Sequence, residues 1–200
     1  MGELLRRRAM MAERDSLPEW DYEWDYTMGL PSDNGWELLT SGTGSIVMIE
    51  DGLQMEASTS ARRSYTKYDY AASTGVMECT FYIPTPTDSS LPLAIIRTGN
   101  ADVSEGVVFY YTSGKATSVR RWNASSFGNG TAIRNSFEFN TIYTVRIALK
   151  DGQSTITLND ELLFNGNANA YYKNGPLFQV QNSRRQKVVY QSVKLKIGRV

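Results

Sequence analysis

The chain has no histidine. That excludes Ser-His-Asp and Cys-His nucleophilic catalysis, and it removes the commonest zinc ligand. Cysteine is almost as scarce. Cys79 stands alone, so no intrachain disulfide is possible. It sits in Gly75–Ile83, where alternation sets it among strand residues, and a buried small hydrophobe suits that position. Net charge is lacking too: 21 Lys and Arg balance 21 Asp and Glu. A neutral chain has no global basic field to hold a nucleic acid. No segment approaches the length of a membrane span. Charge is present in Met1-Gly-Glu-Leu-Leu-Arg-Arg-Arg8, but no apolar run follows it, so no signal peptide is expected.

What is present is β texture. Tyr143, Val145, Ile147 and Leu149 alternate with Thr144, Arg146, Ala148 and Lys150, the period of a half-buried strand. Asp151-Gly152 is a hairpin signal, because glycine accepts the positive φ of a type I′ turn. Ile156 and Leu158 resume the alternation, and Asn159-Asp160 turns the chain again before Leu162 and Phe164. Further strands are expected at Trp36–Thr40, Ser45–Ile49, Gly52–Ala57, Gly75–Ile83, Leu91–Thr98, Gly106–Tyr111, Thr117–Trp122, Leu177–Gln181 and Val188–Ile197. Gly and Asn turns separate them at sandwich-like spacing. Trp20, Tyr22, Trp24 and Tyr26 alternate with Glu19, Asp21, Glu23 and Asp25, which predicts a strand with one aromatic and one acidic face.

Residues 1–17 read differently. Leu, Arg, Ala, Met and Glu dominate Glu3–Arg14, so a short helical leader is expected there, ended by Ser16 and Pro18. Residues 18–200 then form one β domain. Two long loops are expected, Asn123–Asn135 and Asn165–Pro176, and long loops on a rigid β scaffold are common binding elements.

The run Tyr143-Thr-Val-Arg-Ile…Asp151-Gly…Thr155-Ile-Thr-Leu-Asn159, the closing Val193-Lys-Leu-Lys-Ile-Gly198 and the early Asn34-Gly-Trp-Glu-Leu38 resemble the concanavalin A-like lectin/glucanase superfamily, particularly its laminin G-like members. The resemblance covers roughly residues 19 to 200 as a pattern and implies an all-β jelly roll of two antiparallel sheets. In that family the first and last strands lie side by side, which would set the acids of 19–25 opposite Lys194, Lys196 and Arg199. The leader Leu4-Leu-Arg-Arg-Arg-Ala-Met-Met-Ala12 looks like the start of prophage-encoded proteins of gut bacteria. That likeness implies synthesis in the bacterial cytoplasm, association with a virion, and other phage structural proteins or further copies of itself as partners.

Three constellations bear on function. Glu19-Trp-Asp-Tyr-Glu23 matches the Glu-x-Asp-x-Glu pattern of laminarinase-type glycosidases, whose carboxylates act as nucleophile, orienting acid and proton donor. Its place on the first strand, with aromatics on the opposite face, favours a solvated acidic face instead. No cofactor is expected; the second constellation is a calcium site, for which loop carboxylates such as Asp33, Asp69, Asp88, Asp102 and Asp160 could serve. None has the spacing of a known metal loop, and turn residues bonding their own backbone explain them as well. Carbohydrate binding needs aromatic faces beside planar polar groups. Arg121, Trp122 and Asn123 at a strand end, with Tyr171 and Tyr172 in a long loop, offer both. The preferred reading is a non-enzymatic binding or structural module that recognises glycan, with no partner among nucleic acids or membranes. A glycoside hydrolase using Glu19, Asp21 and Glu23, and a structural component without ligand, stand as alternatives.

Overall fold

The computed structural model describes residues 20–57, 61–66, 74–85, 91–99, 104–112, 115–122, 131–168, 177–182 and 186–197. They contain fifteen strands: β1 (Tyr22–Asp25), β2 (Glu37–Ser41), β3 (Gly44–Ile49), β4 (Gly52–Ala57), β5 (Ala61–Thr66), β6 (Gly75–Tyr82), β7 (Leu91–Gly99), β8 (Ser104–Thr112), β9 (Lys115–Trp122), β10 (Thr131–Arg134), β11 (Tyr143–Lys150), β12 (Gln153–Leu158), β13 (Glu161–Asn167), β14 (Leu177–Asn182) and β15 (Gln186–Ile197). Every pairing is antiparallel. One sheet runs β13-β12-β11-β6-β15-β4-β3, with β1 also paired to β15, and has eight strands. The other has seven and runs β10-β9-β8-β7-β14-β5-β2. The expected all-β sandwich is present. The expected leader helix falls in residues 1–17, outside the described residues.

The core follows from the alternation. Tyr143, Val145, Ile147 and Leu149 are buried, as are Ile156 and Leu158 on the next strand. Asp151 and Gly152 take φ of 50° and 75°, the expected turn. Asn159 and Asp160 repeat it at 49° and 64° without a glycine. Asn159 is held by two bonds: its amide donates to the Thr144 carbonyl, and its Oδ1 accepts from the Thr144 amide, both at 2.8 Å. Phe81 on β6 meets Phe109 on β8 edge-on at 5.3 Å between centroids, which joins the two sheets. Phe137, Tyr143 and Tyr190 complete this aromatic centre.

Two strands lie in segments without a local strand pattern. β5 occupies Ala61–Thr66, and β10 occupies Thr131–Arg134, inside the expected loop Asn123–Asn135. Both are held by backbone pairing with their neighbours, β5 with β14 and β2, and β10 with β9.

The first and last strands do lie side by side. Glu23 pairs with Lys194 and Trp24 with Val193. Asp21 Oδ1 accepts from Lys196 Nζ at 3.0 Å, and Oδ2 accepts from the Ile197 amide at 2.7 Å. The hydrogen bond from Lys196, then that from Ile197, holds the Asp21 carboxyl below its ordinary range. Trp24 is buried at 1 % exposure, and its indole N–H donates to the Gly29 carbonyl.

Candidate functional site

β9 ends at the root of the expected 123–135 loop, and β13 ends at the root of residues 169–176. Alternation along β9 turns Val119 and Arg121 inward. Arg121 is 8 % exposed, and its guanidinium carbon lies 3.7 Å from the centroid of the Phe164 ring. Its Nη2 donates to the Asn167 carbonyl at 2.7 Å. The Phe164 ring in turn lies close over Gly166, where an added Cβ would come within 2.9 Å of Cζ. Asn167 Oδ1 accepts from Gln153 Nε2, and the Ala168 amide donates to the Gly152 carbonyl. The ends of β9 and β13 are thereby fastened to one corner of the sandwich. Arg134 on β10 adds an ion pair to Glu161 on β13 at 3.0 Å.

On the outward face of the seven-stranded sheet, Arg120 lies over Tyr110, with Cζ 4.0 Å from the ring centroid. This distance is that of a stacked cation–π pair. Arg120 Nε also donates to Ser118 Oγ at 3.2 Å, which fixes the plane of the guanidinium. Val108, opposite Arg120 in register, is 4 % exposed although it has outward parity.

The residues read from sequence therefore separate. Arg121 is interior and engaged with Phe164 and Asn167. Trp122 is the last residue of β9, opposite Gly106. Asn123, Tyr171 and Tyr172 lie outside the described residues. So do Glu19, Asp69, Asp88, Asp102 and Arg199. Asp33 is in the one-turn helix Pro31–Asn34, and Asp160 is in the β12–β13 turn. Among the described residues no group of three or more acidic or cysteine side chains is arranged to hold a metal ion. Cys79 is fully buried, and burial pushes its thiol well above the ordinary value.

The Tyr110–Arg120 stack is a feature that local sequence does not reveal. The dipeptides Tyr110-Tyr111 and Arg120-Arg121 hide it, because neighbours in a strand face opposite ways and composition does not say which one is outside. Counting parity from Phe109 and Val119, both fully buried, assigns Tyr110 and Arg120 outward.

No protein-family model matches this chain, and no curated protein does. Solved structures do. The carbohydrate-binding module CBM66 from Bacillus subtilis superposes with a TM-score of 0.56 at 13 % identity, over 81 % of this chain and 95 % of that one. The metal-free Emp46p carbohydrate recognition domain reaches 0.61 at 10 % identity, over 92 % and 100 %. Alginate lyase AlgAT5 of polysaccharide lyase family 7 gives 0.56 at 13 %, over 80 % and 84 %. The chain shares the jelly-roll sandwich fold of these structures. These likenesses establish architecture and leave activity to be argued from the site.

Proposed function

We propose that this protein is a non-enzymatic glycan-binding module. The observation that carries the reading is the Arg121–Asn167 bond. It gathers the strand ends that lead to Trp122 and Asn123 on one side and to Tyr171 and Tyr172 on the other. Arg121 acts there as a positioning residue, and the contacts to sugar fall to Trp122, Asn123, Tyr171 and Tyr172. The stacked Tyr110–Arg120 pair presents an aromatic ring and a planar guanidinium on the outward face of β8 and β9. A sugar presents C–H faces to aromatic rings and hydroxyls to planar donors and acceptors, and this surface offers both. Two of the three similar structures are by name a carbohydrate-binding module and a carbohydrate recognition domain.

The hydrolase alternative finds less support. Both carboxylate oxygens of Asp21 are committed, one to Lys196 and one to the Ile197 amide. A carboxylate held that way braces two strands and is poorly placed to serve as a nucleophile or to orient one. A Glu23→Gln variant is expected to match wild type in β-glucan assays, with cleavage in neither. Cleavage by wild type that disappears in the variant would reinstate the enzyme.

The leader's resemblance to prophage proteins supports a setting in which residues 1–17 attach the domain to further copies or to other phage structural proteins. The binding reading is tested by isothermal titration with a glycan selected on an array. Trp122→Ala is expected to weaken binding about tenfold, corresponding to roughly 1.4 kcal/mol. Unchanged affinity in Trp122→Ala and in the Tyr171→Ala, Tyr172→Ala double variant would remove this corner from the account.

A further inference from the structure

We propose that the outward face of the eight-stranded sheet carries a second, separate site, built on Trp20, that takes an uncharged sugar ring. It lies on the other side of the sandwich from the Tyr110–Arg120 surface and does not depend on that reading.

Tyr22 and Trp24 pack towards the core, and simple alternation would send Trp20 after them. It goes elsewhere. The chain bends at Asp21, and the indole comes to the outward side chains of two other strands. Arg146 Cζ and Lys194 Nζ each lie 5.9 Å from its ring centroid. Trp24 and Trp36 are buried at 1 % and 3 %, whereas Trp20 keeps part of its surface in solvent.

The register defines the surroundings. Arg146, Glu78, Lys194 and Glu23 stand in one row across β11, β6, β15 and β1. Signs alternate along the row, so each cation has a carboxylate as its cross-strand neighbour. One row towards the Leu149 end stand half-buried Ala148, Val76, which is 1 % exposed, and Lys196, which bonds Asp21. One row the other way stand the hydroxyls of Thr144, Thr80 and Ser192, with the two threonine oxygens 3.0 Å apart.

This set of groups selects a ligand class. The aromatic face suits the C–H side of a pyranose. The rim holds two donors-only cations, two acceptor carboxylates and hydroxyls that do both, which matches sugar hydroxyls. The charges of the central row cancel, Asp21 offsets Lys196 in the row beside it, and Asp25 adds a carboxylate opposite Ser192. A phosphate or carboxylate ligand would meet Glu78 and Glu23, and a purely apolar one would strip water from four charges without replacing its bonds. A neutral oligosaccharide satisfies every group.

The test follows the indole N–H resonances of the ¹⁵N-labelled full chain, assigned by replacing Trp20, Trp24, Trp36 and Trp122 with Phe one at a time. The probes are laminarihexaose, cellohexaose and maltohexaose. The expected result is a saturable shift of the Trp20 resonance with at least one probe, weakened about tenfold by Arg146→Gln or Glu78→Gln. Both substitutions are at outward positions, and folding of each variant is checked by the unchanged Trp24 and Trp36 resonances. A Trp20 resonance that no probe moves overturns the proposal, as does a shift indifferent to both variants. Movement of Trp122 alone overturns this site and supports the loop corner. Movement of Trp20 alone does the reverse.

Discussion

Single residues in this protein report on burial and pairing directly. The Cys79 thiol is enclosed and its ionisation is suppressed by desolvation, so Ellman's reagent should titrate no thiol in the native protein and one after denaturation. Fast native reaction would mean that β6 is not where the fold puts it. Ser154 Oγ is buried without a hydrogen-bond partner. Such a hydroxyl costs stability, so Ser154→Ala should raise the urea midpoint, by about 1 kcal/mol in stability. Asp21 gives the pH dependence. Its carboxyl is held below the ordinary value in the folded state by Lys196 and by the Ile197 amide. A lowered folded-state pKa means stability that is fully present above the unfolded value, 3.8, and is lost as pH falls through the folded one. Asp21→Asn should therefore flatten part of the stability profile below about pH 4. The pair is partly exposed, so the difference at neutral pH stays within about 1 kcal/mol. Equal acid sensitivity of the two proteins would show that the pair contributes nothing.

At the scale of elements, turns and strand ends decide the design. Asn159 and Asp160 both hold positive φ, which costs an L-residue side chain about 1 kcal/mol or more. Asn159 cannot be exchanged, because its side chain bonds Thr144. Asp160→Gly creates the preferred Asn-Gly turn and should stabilise by about 0.5–1 kcal/mol, read as a higher Tm. At the other end of β13, Gly166→Ala should push the Phe164 ring and disturb Arg121 above it, destabilising by about 1–3 kcal/mol. These elements also show where sequence reading reaches. β11, β12 and β15 were legible because Val, Ile and Leu alternate with polar residues under a one-sided burial pattern. β5, with the sequence Ala-Arg-Arg-Ser-Tyr-Thr, carries one large apolar residue, Tyr65, and no alternation. Its strand state comes from its neighbours' backbone groups, which no local pattern records. The same holds for β10. The candidate site at the end of β9 drew notice as a type, an arginine pair before an aromatic. The inward turn of Arg121 depends on parity, and its hold on Asn167 depends on a contact 46 residues away.

The whole molecule is two sheets closed on an aromatic centre, with one candidate surface at the β9–β13 corner and another over Trp20. Phe81 bridges the sheets through Phe109, so Phe81→Ala should cost about 3–5 kcal/mol and reduce both surfaces' binding together through loss of fold. If residues 1–17 join copies, their removal should lower the mass seen by light scattering, and an unchanged mass would exclude that role. The central claim is that this jelly roll binds glycan without cleaving it. The most direct measurement is a glycan-array screen of the 200-residue chain, run with calcium and then with chelator. The account predicts a defined set of bound glycans, kept in chelator because the contacts are aromatic and polar side chains. No binding under either condition would contradict it and leave a structural module in its place.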